Sequence, residues 1–158
     1  MVRILFICHG NICRSPMAEY IMKELVRERG FSDECVIASA ATSYEEQGNP
    51  MYPPARRILL VNGISPEGHR ARRAERSDYV NYDFFVCMEE YNVRNLMRIL
   101  RSDPEGKVCR LLDYTDDPGD IDDPWYTGDF ETAYRQIRKG CEGLLDALSF
   151  SRNTIRKL

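Results

Sequence analysis

The stretch VRILFICHGNICRSP, residues 2–16, decides how the chain begins to fold. Its apolar run, residues 2–7, predicts a buried strand that delivers Cys8 into a short polar loop. The loop ends at Arg14, and Pro16 suits the first turn of a helix that follows. At this point the thiol of Cys8 has three interpretations: a nucleophile, half of a disulfide, or a small buried side chain.

Strand-like runs alternate with helical patterns along the rest of the chain, which is typical of an α/β domain with a parallel sheet. Three further strands are predicted, over residues 35–38, 82–87 and 108–112. Helices are predicted over residues 16–29, 55–61, 89–101 and 130–148. We therefore predict three layers, α/β/α, around a four-stranded parallel sheet of flavodoxin-like or Rossmann-like topology.

The length of the chain, 158 residues, fits one domain. We predict that domain over residues 1–150, because the apolar stripe of the last helix ends at Leu148. Residues 151–158 lose the pattern and are predicted to form a frayed tail. Two long loops remain, residues 39–54 and 113–129, and long loops in a compact domain are usually functional.

Composition argues against several classes of protein. The net charge is −3, so we expect no nucleic-acid partner. No apolar stretch reaches membrane-spanning length and no signal peptide is recognisable, so we expect no membrane partner and a cytoplasmic location. The six cysteines form no CxxC pair and only two histidines could join them, so we expect no metal and no cofactor. Four of the cysteines are expected to be free thiols that pack as small apolar side chains: Cys35, Cys87, Cys109 and Cys141.

The loop between Cys8 and Arg14 has the residue types of an oxyanion site. Successive backbone N–H groups in a strand–loop–helix turn can converge on an anion, and the helix dipole favours negative charge there. Gly10 gives the backbone freedom for a tight turn, and Arg14 can hold a phosphate through two hydrogen bonds. The same field stabilises a thiolate, which would be an in-line nucleophile beneath a bound phosphate. A plain connection between strand and helix is the alternative, since a cysteine and an arginine with five residues between them are a weak signal alone.

Four segments together resemble the low-molecular-weight protein tyrosine phosphatases. FICHGNICRSPMAE, residues 6–19, resembles the active-site signature of that family. DDPWYTGDFETAY, residues 122–134, resembles its general-acid loop and the start of its last helix. YDFFVCMEEYN, residues 82–92, resembles its third-strand segment, and SAATS, residues 39–43, also matches. With the order of the elements, the resemblance covers nearly the whole chain to about residue 150.

The resemblance implies the catalytic residues. Cys8 would be the nucleophile and Arg14 the clamp on the phosphate and the transition state. Asp123 would protonate the leaving oxygen as general acid, and then activate water as base. Six aspartates lie between residues 113 and 123, so the choice of Asp123 depends on its match to the family's Asp-Pro-aromatic pattern.

The phosphate-binding loop that the resemblance implies consists of His9, Gly10, Asn11, Ile12, Cys13 and Ser15. Ser15 would donate a hydrogen bond to the thiolate, with an ordinary helix cap as the alternative role. Asn11 would order the loop together with Ser39 and His69, although a lone loop histidine is more often a solvated surface residue. His9 and Ile12 would face the substrate pocket.

Cys13 has two interpretations. It packs under the loop as a small side chain, or it forms a reversible disulfide with Cys8, as the family's paired cysteines suggest. The second, which we prefer, would make Cys13 a redox partner that protects the nucleophile from over-oxidation.

Four residues are candidates for the substrate pocket. Trp125 and Tyr126 would be walls that stack on an aromatic leaving group, with a plug of the core as the alternative. The family commonly has two tyrosines here, so Trp125 is a departure. Tyr44 and Glu45 lie near the position where other members place a pocket tryptophan, and the acidic pair of Glu45 and Glu46 leaves the choice of protein substrate open.

The resemblance implies a metal-free enzyme that hydrolyses phosphotyrosine in protein substrates through a phosphocysteine. It would hold phosphate or another oxyanion in the active site, and we expect a monomer or a weak dimer.

Three alternatives share the fold or the loop. A protein-arginine phosphatase carries threonine at the position of Ile12. An arsenate reductase needs a redox pair of cysteines. Cys87 could be one of the pair, but the helix that follows it, residues 89–101, contains no cysteine. A non-catalytic phosphoprotein-binding module is expected to have lost the nucleophile or the acid. The basic segment HRARRAER, residues 69–76, is expected to be a solvated surface, with attraction of acidic phosphoproteins as the alternative.

Overall fold

The computed structural model describes the backbone of residues 1–156 and the side chains of residues 1–148. In that part of the chain the strands are β1 (Val2–Cys8), β2 (Cys35–Ala41), β3 (Phe84–Cys87) and β4 (Val108–Arg110). The helices are α1 (Arg14–Glu28), α2 (Pro53–Val61), α3 (Glu90–Leu100), α4 (Pro124–Thr127) and α5 (Phe130–Arg156). All described strand pairs are parallel and the order is β2-β1-β3-β4, so the predicted α/β class and four-stranded parallel sheet are confirmed.

The central strand β1 is buried on both of its faces. Ile4, Phe6 and Cys8 belong to the core that α1 and α5 cover, whereas Leu5 and Ile7 belong to the core beneath α3. Helices on both faces of the sheet give the three predicted layers. Cys8 therefore lies at the carboxyl end of the sheet, where ligands bind in open α/β folds.

β1 ends one residue later than predicted and β3 begins two residues later, at Phe84. The other two strands differ at their ends for identifiable reasons. β2 continues three residues beyond its predicted end to Ala41, because it pairs along its length with β1 and Ala41 also bridges to Arg73. β4 ends at Arg110 because Leu111–Tyr114 forms a 3₁₀ helix, at whose start the Asp113 carboxylate accepts hydrogen bonds from the backbone N–H and the guanidinium of Arg110. The short helix α4 lies inside the predicted loop of residues 113–129 and was missed, since Pro-Trp-Tyr-Thr has no apolar periodicity.

The last helix, α5, continues to Arg156, beyond the predicted end at residue 148. Side chains from residue 149 onward lie outside the described residues, so the frayed tail of residues 151–158 and the domain limit at residue 150 stay predictions. Over the described length, α5 passes so close to the 3₁₀ helix that a Cβ on Gly143 would overlap the carbonyl oxygen of Tyr114. No helix in the described part of the chain is long and apolar enough to cross a bilayer.

Candidate active site

A strand, a loop and a helix place the proposed nucleophile. β1 ends at Cys8, which is 3% exposed, and α1 begins at Arg14. The intervening loop closes on the helix through Cys13, whose carbonyl oxygen accepts a hydrogen bond from the backbone N–H of Met17 at 3.1 Å. The sulfur thus lies beside the N-terminus of a 15-residue helix, where the helix dipole favours negative charge.

Two hydrogen-bond donors face the sulfur of Cys8. The hydroxyl oxygen of Ser15 lies 2.9 Å from Sγ, and the backbone N–H of Asn11 points at Sγ with an N–S distance of 3.3 Å. The side-chain amide of Asn11 already donates to the hydroxyl oxygen of Ser15 at 2.8 Å, which leaves the Ser15 proton free for the sulfur. Both contacts stabilise an anionic sulfur more than a neutral thiol.

Asn11 orders the loop through four hydrogen bonds. Its side-chain Nδ2 donates to the hydroxyl oxygens of Ser15 and Ser39, and its Oδ1 accepts from the backbone N–H of Arg72 at 3.2 Å. Its carbonyl oxygen accepts from Nε2 of His69 at 2.8 Å. Asn11 has a φ of 61°, the left-handed region that is unfavourable for most residues, so these contacts hold a strained backbone in place. The structure therefore brings Ser15, Ser39 and His69 together around Asn11.

The arginine of the loop is held by partners from two other segments, the residue before α3 and the acidic loop of residues 113–129. Nη1 of Arg14 donates to the carbonyl oxygen of Ile121 at 2.8 Å and lies 3.2 Å from Oε2 of Glu89. Nη2 of Arg14 lies 3.3 Å from Oδ2 of Asp123. Burial alone would lower the pKa of Arg14, but the negative charges of Cys8, Asp123 and Glu89 raise it above its ordinary value. The guanidinium is therefore charged and fixed in orientation although it is 1% exposed.

Asp123 precedes α4 and caps it. Its Oδ1 accepts a hydrogen bond from the backbone N–H of Trp125 at 3.0 Å, while Oδ2 faces Arg14. Pro124 is the first residue of the helix, where its fixed φ suits the helix start. The neighbouring Asp122 is exposed and does not line the cavity over Cys8. One carboxylate of the acidic loop is therefore directed at the arginine.

A cavity of about 120 Å³ lies over the sulfur. Its lining consists of Cys8, His9, Gly10, Ile12, Cys13, Arg14, Glu45, Glu46, Asp123, Trp125 and Tyr126. Trp125 and Tyr126 are 50% and 82% exposed, so their rings form a rim rather than a plug of the core. Tyr44 is absent from the lining, because its ring packs against the guanidinium of Arg73, 4.5 Å from the ring centroid. Of the four predicted pocket residues, Glu45, Trp125 and Tyr126 therefore meet at the cavity and Tyr44 does not.

Two of the six cysteines lie beside the cavity. Cys8 and Cys13 both line it, and all six cysteines are free thiols. Burial raises the pKa of Cys13, and the neighbouring charge of Cys8 raises it further, so Cys13 stays protonated near neutral pH. The disulfide between Cys8 and Cys13 stays a prediction. Among the described residues, no group of three or more histidine, cysteine or acidic side chains could hold a metal ion.

Three residues of this site were not found from the sequence. Glu89 pairs with Arg14, Glu19 accepts a hydrogen bond from Ser39 at 2.6 Å, and Arg72 supports Asn11. Each is an ordinary charged residue in its local sequence. Only the fold brings them to the loop, so no local pattern could have indicated their role.

Comparisons of the sequence and of the structure with known proteins lead to the same family. The family model described as low molecular weight phosphotyrosine protein phosphatase matches residues 3–154. The low molecular weight protein-tyrosine-phosphatase YfkJ of Bacillus subtilis is 37% identical over 150 residues, which cover 94% of this chain and 96% of that protein. The low molecular weight phosphotyrosine protein phosphatase of Homo sapiens is 37% identical, with 90% of this chain and 93% of that protein covered.

Two solved structures also superpose on this chain along most of its length. The crystal structure of YfkJ from Bacillus subtilis superposes with a TM-score of 0.92 at 36% identity and covers 96% of each chain. Vibrio vulnificus Wzb in complex with benzylphosphonate superposes with a TM-score of 0.80 at 26% identity, covering 92% of this chain and 98% of that one. The second structure shows a relative with an aromatic phosphonate bound.

Proposed function

Because the chain belongs to the low molecular weight phosphotyrosine protein phosphatase family and is a phosphatase, we propose that it hydrolyses phosphotyrosine monoesters through a phosphocysteine intermediate. The observation that carries the proposal is the meeting of Cys8, Arg14 and Asp123 in one cavity at the carboxyl end of the sheet. These three side chains supply a nucleophile, a clamp for phosphate and a carboxyl group for proton transfer.

Substrate binding uses the loop and the arginine. The phosphate oxygens are held by the backbone N–H groups of the loop and by the guanidinium of Arg14, whose orientation Ile121 and Glu89 fix. Because Cys8 is 3% exposed, only a side chain long enough to reach the floor of the cavity brings phosphorus to the sulfur. The phenyl ring of phosphotyrosine then lies between the rim residues, among them Trp125 and Tyr126.

In the first step the thiolate of Cys8 attacks phosphorus. The S–P bond forms, the P–O bond to the phenol breaks, and the leaving oxygen takes the proton of Asp123. The contacts of Sγ with Ser15 and with the N–H of Asn11 stabilise negative charge on the sulfur. The arginine balances the charge that spreads over the phosphoryl oxygens in the transition state.

In the second step water attacks the phosphocysteine. The carboxylate of Asp123, which gave up its proton in the first step, takes a proton from the water as the new P–O bond forms. The S–P bond breaks, inorganic phosphate leaves and the thiolate of Cys8 returns. No metal or cofactor is used in either step.

Phosphotyrosine in protein substrates is the class that the rim supports best. The rings of Trp125 and Tyr126 at the rim suit a phenyl leaving group, and Ile12 on the lining supplies an apolar contact. A phosphoarginine substrate is the alternative, since the nearby carboxylates of Glu45 and Glu46 could face its guanidinium group. Cys8 and Cys13 line the same cavity, which supports the proposed reversible disulfide between them under oxidising conditions, and the free thiols suit the proposed cytoplasmic location.

A comparison of rates tests the proposal. Matched peptides carrying phosphotyrosine, phosphoarginine or phosphoserine are incubated with the protein, and arsenate reduction with a thiol donor is measured beside them. We expect phosphotyrosine to have a kcat/KM at least about tenfold higher than either other peptide, with activity retained in a chelator. Faster release from phosphoarginine would contradict the substrate class, and arsenate reduction without phosphatase activity would contradict the reaction itself.

A further inference from the structure

The arginines around the basic segment, residues 69–76, do not share one role. Arg72 forms two hydrogen bonds with the carboxylate of Asp78, at 3.0 and 3.1 Å, and Arg73 packs on the ring of Tyr44. By contrast, Arg70 makes no ion pair or side-chain hydrogen bond with any described residue, and the same holds for Arg56 of α2. Both are exposed. Two guanidinium groups are therefore left without a partner in the described part of the chain.

These two arginines line one cleft. The cleft has a volume of about 270 Å³ and lies between α2 and the segment that ends at Arg70. His69 lines it as well, and Glu67 is its single acidic residue. The Glu67 carboxylate accepts a hydrogen bond from the hydroxyl of Ser65 at 3.3 Å. The lining thus carries two permanent positive charges and a titratable ring against one carboxylate.

The backbone adds further donors to the cleft. Gly68, His69 and Arg70 are consecutive lining residues, and their backbone N–H groups donate to no acceptor among the described residues. Gly68 has a φ of 77°, and a run of N–H groups at such a turn can form a concave anion site. The hydroxyl of Tyr20 donates to the carbonyl oxygen of Glu67 at 3.1 Å, which helps to fix this segment.

We propose that this cleft is a second oxyanion site, which binds a phosphoryl group through Arg56, Arg70 and His69. Two planar guanidinium groups match the oxygens of a phosphoryl dianion, which carries enough charge to outweigh the repulsion of Glu67. The phosphoryl group belongs either to free inorganic phosphate or pyrophosphate or to a phosphorylated side chain. The site does not depend on the reaction proposed for Cys8.

His69 connects the cleft with the loop over Cys8. Its Nε2 donates to the carbonyl oxygen of Asn11, while its ring lines the cleft. The cleft and the phosphate loop are therefore two anion sites that share one histidine.

An NMR titration with residue-specific readout separates the two sites. ¹⁵N-labelled protein is titrated with inorganic pyrophosphate, with the amides of Gly68 and Arg70 reporting on the cleft and the amide of Gly10 on the loop. We expect saturable shifts of Gly68 and Arg70 whose midpoint differs from that of Gly10. In the Arg56→Gln/Arg70→Gln variant, the Gly68 midpoint should weaken at least about tenfold.

The controls fix the meaning of each outcome. Arg57→Gln removes an exposed arginine of α2 that lies outside the cleft, so its Gly68 midpoint should equal that of the unaltered protein. Arg57→Gln and the Arg56→Gln/Arg70→Gln variant should both keep the Gly10 midpoint and the kcat/KM for p-nitrophenyl phosphate within about twofold. None of the replaced side chains contacts the loop over Cys8. The absence of a saturable Gly68 shift, or an equal midpoint in the double variant, would overturn the proposal.

A second titration identifies the source of the phosphoryl group. N-acetyl-O-phosphoserine amide replaces pyrophosphate, with the same amides as readout. A Gly68 shift that both compounds produce, and that the double variant loses, supports a site for phosphorylated side chains. A shift with pyrophosphate alone supports a site for free inorganic anions, and failure of both compounds contradicts the proposal.

Discussion

Nη2 of Arg14 lies 3.3 Å from Oδ2 of Asp123, so the proposed phosphate clamp is ion-paired with the proposed general acid. Substrate phosphate competes with Asp123 for the same guanidinium. Under the proposed mechanism, binding of the phosphate frees the Asp123 carboxyl from the guanidinium before it acts on the leaving oxygen. The pair therefore links substrate binding to the protonation of the leaving group.

Replacement of Asp123 by alanine should slow the reaction in proportion to how much the leaving group needs a proton. We expect the Asp123→Ala variant to lose about 10²-fold or more in kcat with phenyl phosphate and clearly less with an activated nitrophenyl ester. Asp122→Ala is the matched control, since Asp122 is exposed and does not line the cavity over Cys8. Equal slowing in the two variants would show that Asp123 is not the general acid.

Replacement of Glu89 by glutamine tests whether this residue positions the arginine. Glu89 lies 3.2 Å from Nη1 of Arg14 and immediately precedes α3. We expect Glu89→Gln to lower kcat/KM for p-nitrophenyl phosphate about tenfold, because the guanidinium loses one fixed partner. Glu90→Gln is the control, and it should stay within about twofold. A loss of kcat/KM that is fully matched by a loss of folded protein, followed by circular dichroism, would show a structural role only.

Alkylation should separate the two cysteines of the loop. The pKa of Cys13 is raised by burial and by its neighbour Cys8, so its reactive thiolate becomes rarer at any pH below that raised value. Burial likewise raises the pKa of Cys87 and Cys141. We expect iodoacetamide at pH 7 to label Cys8 and to leave these three unlabelled, as peptide mass spectrometry can determine. Labelling of Cys13 at a rate comparable with Cys8 would contradict this order.

Replacement of Gly143 by alanine should reverse the usual effect of that substitution in a helix. Alanine normally stabilises a helix interior by about 0.5–1 kcal/mol relative to glycine. Here a Cβ would overlap the backbone oxygen of Tyr114, which cannot turn away as a side chain could. We expect the free energy of unfolding to fall by about 1–3 kcal/mol in urea denaturation. A stabilised Gly143→Ala variant would show that α5 and the 3₁₀ helix separate easily.

The sheet was predictable because each strand is a short apolar run bounded by turn residues, and the central strand is buried on both faces. The boundaries were less predictable where tertiary contacts decide them, as at Ala41, which gains a bridge to Arg73. Tyr44 shows the same limit for the pocket. Its position in the sequence placed it beside the substrate, but Arg73 provides a closer partner for its ring. Glu89 could not be found from sequence because only the fold brings it to Arg14.

Trapping of the covalent intermediate tests the central claim most directly. The Asp123→Ala variant is mixed with an activated aryl phosphate and quenched within one turnover, and the peptides are mapped by mass spectrometry. The mechanism predicts one phosphate on the sulfur of Cys8, and neither label nor turnover in Cys8→Ser, which should still bind oxyanions. Phosphate on another residue, or substantial hydrolysis by Cys8→Ser, would contradict the account.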